Sequence, residues 1–92
     1  MKLRYGKHAL QQIDEALGHI AKRSPQGAAK VAARISVVLA LLQSHPHTGV
    51  RTSLPRVRRI FLIPYPYLID YHAGDDEIVV LRFRHTARRP VR

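Results

Sequence analysis

From about Lys7 to Leu42 the apolar residues of this chain keep one period, and from Val57 onward another. The switch is made across His45-Pro46-His47-Thr48-Gly49, where Pro46 and Gly49 cannot continue a helix. Before it, Leu10, Ile13, Leu17 and Ile20 recur at helical spacing, and Gln11, Gln12, Asp14, Glu15, Lys22 and Arg23 take the other face. Ser24-Pro25 breaks this helix and starts the next: Ser24 can cap, and Pro25 suits a first helical position, where its missing N–H costs nothing. The second helix is expected from about Pro25 to Ser44. Its stripe is Ala28, Val31, Ala32, Ile35, Val38, Leu39 and Leu42. The two segments make an antiparallel helical hairpin with an apolar face that must be covered.

Strands supply the cover. Met1–Tyr5 reads as a short one, with Leu3 and Tyr5 on one side and Lys2 and Arg4 on the other. Val50–Arg56 is expected to be a basic loop. Three strand-like segments follow, Val57–Ile63, Tyr67–His72 and Ile78–Arg84. Pro64 and Pro66 keep the first gap extended, and Ala73-Gly74-Asp75-Asp76 is a hairpin turn signal. The order is therefore β-α-α-β-β-β, an α+β fold with the hairpin packed on one face of a mostly antiparallel sheet. A chain of 92 residues holds one such domain, 1-92, and leaves the second sheet face open.

Composition narrows the function classes. Zero cysteines remove disulfides, zinc–thiolate sites and thiol catalysis. The longest apolar run, Val37 to Leu42, is far short of a bilayer span, and no basic-then-apolar leader opens the chain. A cytoplasmic protein without a membrane partner is the expectation. Sixteen basic residues, twelve of them arginine, against six acidic ones give a net charge of +10. That balance points to a polyanionic partner, and guanidinium groups grip phosphate and carboxylate bidentately where lysine cannot.

The arginines of the strands are the candidate site. If Val79, Leu81 and Phe83 meet the helices, Arg82 and Arg84 lie on the open face, because a bare buried charge costs several kcal/mol. In Val57–Ile63 either parity is apolar, so one of Arg58 and Arg59 faces out and the sequence leaves open which. Such a cluster would stabilise the phosphorane of phosphodiester cleavage, hold a nucleic-acid backbone or receive acidic groups of a partner. His85 follows the last strand and precedes Arg88 and Arg89, a position suited either to general acid–base work or to holding the tail. His8, His19 and His72 read as surface residues. His45 and His47 flank a proline with no carboxylate or cysteine nearby, so neither a metal nor a cofactor is expected. Tyr65, Tyr67 and Tyr71 read as packing residues rather than base-stacking platforms.

The stretch Arg58…Pro66-Tyr67-Leu68-Ile69-Asp70-Tyr71…Ile78-Val79-Val80-Leu81-Arg82…His85-Thr86-Ala87-Arg88-Arg89-Pro90 resembles the RelE/ParE superfamily of toxins from type II toxin–antitoxin modules, as does the His45-Pro46-x-x-Gly49 link. The resemblance implies an intracellular bacterial toxin neutralised by an acidic cognate antitoxin that wraps the helices and the open sheet, with Leu17, Ile20, Val38 and Arg82 as contacts. It implies one of two targets. RelE-like members cleave mRNA in the ribosomal A site without metal, which would cast Arg58 and Arg82 as phosphate grips and His85 as acid or base. ParE-like members inhibit DNA gyrase and perform no reaction of their own. Target or nucleic-acid contacts would then come from Arg51, Arg56, Arg58, Arg59, Arg82, Arg84, Arg88 and Arg89.

The sequence departs from the RelE pattern. Its last lysine is Lys30, no tyrosine follows Tyr71, and the glycine usual two residues before the first strand's arginine is Arg56. These departures lean toward the ParE-like branch. A non-enzymatic nucleic-acid-binding module is the remaining alternative.

Overall fold

The computed structural model describes residues 1–87. Its elements run β1 (Lys2–Tyr5), α1 (Lys7–Arg23), α2 (Pro25–Ser44), β2 (Val50–Arg51), β3 (Val57–Phe61), β4 (Tyr67–Ala73) and β5 (Glu77–His85). Both helices end where local chemistry dictates. The Ser24 hydroxyl accepts from the Gly27 N–H at 2.9 Å with Pro25 in the first turn of α2, and Lys22 and Arg23 sit in the last turn of α1, against the negative end of its dipole.

The five strands form one sheet in the order β1-β5-β4-β3-β2. Only β1 and β5 run parallel; the other pairs are antiparallel. The segment expected to be a plain basic loop contains the short strand β2, which pairs Val50 with Arg59 and Arg51 with Arg58. β3 stops at Phe61 rather than Ile63, although the Leu62 N–H still donates to the Tyr67 carbonyl at 2.9 Å.

The hairpin covers one sheet face. Val31, Ile35, Val38, Leu39 and Leu42 of α2 pack with Ala9 of α1 against Ile69, Tyr71, Ile78, Val80 and Phe83. Each fully buried Val, Leu, Ile or Phe among them is worth about 1.5–3 kcal/mol. α2 is long and apolar enough to cross a membrane by length and composition; here these five side chains line the core.

One expectation fails in β5. Val79 and Leu81 do not meet the helices; Ile78 and Val80 do, together with Phe83. The register explains it: Tyr71 pairs with Val80 but Asp70 pairs with Arg82, so a bulge at Leu81 shifts the alternation by one residue. Leu81 is pushed out to 37% exposure, and Arg82 stays on the bare face.

Candidate functional site

The two arginines of β3 settle on opposite faces because their strand neighbours differ. Arg58 lies opposite Tyr71 and Arg59 opposite Asp70. Tyr71 is a core residue, so Arg58 is turned to the helix side, where its Nη1 donates to the Gly49 carbonyl at 2.9 Å and the His47 carbonyl at 3.2 Å. Tyr71 braces the same turn. Its hydroxyl donates to the Pro46 carbonyl at 2.7 Å and accepts from the Gly49 N–H at 2.9 Å. Gly49 allows this approach: a Cβ there would lie 2.7 Å from the tyrosine oxygen and 2.8 Å from the Arg59 carbonyl. Burial pushes the Tyr71 hydroxyl above the usual phenol range, opposed in part by the Gly49 amide and the Arg58 charge. The choice left open by the sequence thus falls to Arg59 for the open face, and Arg58 is not part of an open arginine cluster.

The open face carries Arg59, Arg82 and Arg84, opposite Asp70, Asp70 and Leu68 respectively. Asp70, 5% exposed, binds Arg59 bidentately, with Nε–Oδ1 at 2.7 Å and Nη2–Oδ2 at 3.2 Å. Those bonds raise the Arg59 pKa further, so its cation is fixed in place and its charge answered by its own chain. Arg82 flanks the same carboxylate from β5 and is exposed. Around them Phe61, Ile63 and Leu81 are exposed at 46%, 68% and 37%. The face is a basic surface with apolar islands; Arg82 is its exposed cation, while Arg84 is part-buried with its Nε shielded from solvent.

His85 sits elsewhere. It pairs with Tyr67 at the end of β5 and meets that ring edge-on, with centroids 5.3 Å apart at 80°, while Tyr67 stacks on Phe83 at 5.1 Å. Its Nδ1 accepts from the Ala87 N–H at 3.0 Å, which assigns the proton to Nε2 in the neutral ring. A cleft of about 710 Å³ opens beside it, lined by Gln12, Glu15 and His19 of α1. Along β4 the partners of His85 and Arg58 are four residues apart, about 13 Å. Arg82 is on the other face. The trio Arg58, Arg82 and His85 does not converge on one point.

A second cleft, about 620 Å³, lies where β3 begins. Arg51, Arg56 and Arg58 line it together with Ser53, Leu54 and Asp75. Arg56 adopts φ 62°, the left-handed region that a side chain makes costly. Among the described residues no group of three or more His, Asp or Glu side chains could hold a metal ion.

The expected antitoxin contacts divide as well. Leu17 and Ile20 are partly buried and pack on the core's edge. Val38 is corrected: at 3% exposure it faces the sheet and is sealed in the core. Sequence reasoning passed over the neighbouring outer row, Val37 and Leu41, exposed at 56% and 41%; their four-residue spacing was the available signal. Arg88 and Arg89 lie outside the described residues.

Comparison with known proteins completes the picture. Residues 3–90 match the family described as ParE toxin of type II toxin-antitoxin system, parDE. The chain is 32% identical over 85 residues to the Y4kP protein of Sinorhizobium fredii, spanning 91% of this chain and 88% of that one. It is 30% identical over 80 residues to Toxin RelE2 of Caulobacter vibrioides, spanning 87% and 89%. Among solved structures, one of the chromosomal ParDE TA system from P. aeruginosa aligns with a TM-score of 0.77 at 24% identity, over 92% of this chain and 95% of that one. The solution structure of a conserved Helicobacter pylori protein aligns at 0.53 and 21% identity, over 92% and 93%. Both structural likenesses bear on the fold alone.

Proposed function

Because the chain belongs to the ParE toxin family of type II toxin–antitoxin systems, we propose that it arrests bacterial growth in the cytoplasm by binding DNA gyrase, with no reaction of its own. One observation carries this reading: the three residues a ribonuclease would need together are apart, and two of them are engaged in their own fold. Arg58 holds the carbonyls of the 46–49 turn, His85 holds Ala87, and Arg82 stands on the opposite face. A phosphorane-stabilising site requires convergent donors about 2.7–3.1 Å from the position the developing oxyanion will occupy. Binding to a protein–DNA target requires only a complementary basic surface.

The inhibitory partner is an acidic cognate antitoxin. Exposed Arg82 beside Phe61, Ile63 and Leu81 suits a segment that alternates carboxylates with apolar anchors, and Leu10, Val37 and Leu41 extend the apolar surface over the hairpin.

Purified chain added to gyrase is expected to stop supercoiling and accumulate a cleaved gyrase–DNA complex. Undisturbed supercoiling would remove the proposal. The second reading, ribosome-dependent mRNA cleavage, is the one that the name of the Caulobacter relative favours. It demands truncated transcripts in a translating lysate and a loss of about 100-fold or more on His85→Ala. The gyrase reading expects intact transcripts and growth arrest that survives His85→Ala.

A further inference from the structure

We infer that the cleft lined by Arg51, Arg56 and Arg58 is a binding site for the phosphodiester backbone of a nucleic acid, separate from the open sheet face and independent of which target the toxin strikes.

The first ground is charge. Three guanidinium groups line a cleft of about 620 Å³ and a single carboxylate, Asp75, answers them among the described lining residues. Asp75 reaches only Arg56, at 3.3 Å, with side-chain exposures of 92% and 57%. A pair that wet contributes little and is easily exchanged for another anion. On the open face, by contrast, Arg59 is locked to a buried aspartate.

The second ground is strain. Arg56 is the one non-glycine residue at positive φ among those described. Its conformation is imposed by the surrounding loop: its carbonyl accepts from the Ala73 N–H at 2.9 Å, the Val57 N–H donates to the Leu54 carbonyl at 3.2 Å, and the Thr52 hydroxyl donates to the Val57 carbonyl at 2.9 Å. Glycine would fit this turn without strain. An arginine held there at a cost in stability, with an exposed side chain directed at a cleft, is the signature of a group retained for binding.

The third ground is stiffness. The Arg58 guanidinium is fixed on one side by the His47 and Gly49 carbonyls, and Arg51 is held opposite Arg58 by the β2–β3 pairing. A guanidinium already placed, as that of Arg58 is, loses little freedom on binding a repeating phosphate chain, and the paired backbone of Arg51 sets where its side chain starts. The cleft wall offers Ser53 and Leu54 but no deep apolar pocket, which fits a sugar–phosphate backbone better than a peptide anchored by large side chains.

Binding of the full purified chain to a mixed-sequence duplex DNA and to a hairpin RNA tests this, with affinity measured against salt. The double variant Arg51→Gln/Arg56→Gly removes two cleft charges; Lys22→Gln/Arg23→Gln removes two at the end of α1. The cleft pair is expected to weaken binding about tenfold or more near 0.1 M salt and to flatten the log–log salt slope by about 1.8 for the duplex DNA. Arg56→Gly alone is expected to weaken binding while its thermal midpoint stays at or above that of the parent, which separates lost contact from lost fold. A drop confined to one nucleic acid names the source of the backbone. Equal losses in the two double variants, no binding of either probe by the parent, or a slope unchanged by the cleft pair would each overturn the inference.

Discussion

Arg58 and Arg59 follow one another on β3, yet one holds a turn on the helix side and the other is neutralised on the bare side. The contrast between the two faces shows how little a charge count says about which charges are free. On the bare face a single buried carboxylate, Asp70, answers Arg59 and leaves Arg82 beside it in solvent. On the helix side no carboxylate meets Arg58; backbone carbonyls of the 46–49 turn do, and the same turn is gripped by Tyr71. Solvent-exposed cations therefore remain at Arg82 on one face and at Arg51 on the other, where Arg56 carries only its wet pair with Asp75.

Four substitutions separate the two faces. Gly49→Ala places a methyl group within 2.8 Å of the Tyr71 hydroxyl and the Arg59 carbonyl; it is expected to cost about 3 kcal/mol or more in denaturant unfolding. A loss below about 1 kcal/mol would mean that the turn is not held as described. Tyr71→Phe leaves the Gly49 N–H and Pro46 carbonyl without partners and is expected to cost about 1–3 kcal/mol. This variant also carries a pH signature. The folded Tyr71 pKa lies above the unfolded value near 10, so its contribution is fully present below about pH 10 and is lost as pH rises through the folded pKa. The parent should thus lose stability at alkaline pH more steeply than Tyr71→Phe does.

Arg58→Ala removes two charge-assisted bonds from a half-exposed side chain, an expected loss of about 1–2 kcal/mol accompanied by weaker growth arrest in proportion to lost folded protein. Arg82→Ala is expected within about 0.5 kcal/mol of the parent in stability while antitoxin binding, read by titration calorimetry, falls. If Arg58→Ala left stability untouched and Arg82→Ala unfolded the chain, the division of roles between the two faces would be reversed.

The helical hairpin was legible in the sequence because its signals are local. Ser24, Pro25 and the period of Leu10, Ile13, Leu17 and Ile20 fix both boundaries within a few residues of where they act. The sheet's facing was less so. In Ile78-Val79-Val80-Leu81 every residue is apolar, so no alternation marks the bulge; it exists because Tyr71 and Asp70 on β4 take Val80 and Arg82 as partners. Likewise Arg58 and Arg59 are indistinguishable until Asp70 is placed opposite one and Tyr71 opposite the other. Val38 was misread because the helical stripe gives the angle of a face but not which of two adjacent rows the sheet covers. Convergence of Arg58, Arg82 and His85 was implied by the resemblance to RelE-like members, and strand pairing places them apart.

The parallel pairing of β1 with β5 has a kinetic consequence. Arg4 and its ion-pair partner Glu77 are 73 residues apart, so the first strand has no sheet neighbour until the last is synthesised. At ribosomal rates of 5–20 residues per second that interval is about 4–15 s. A nascent chain of this architecture stays incomplete, and its sheet surface unformed, almost until translation of its final strand has ended.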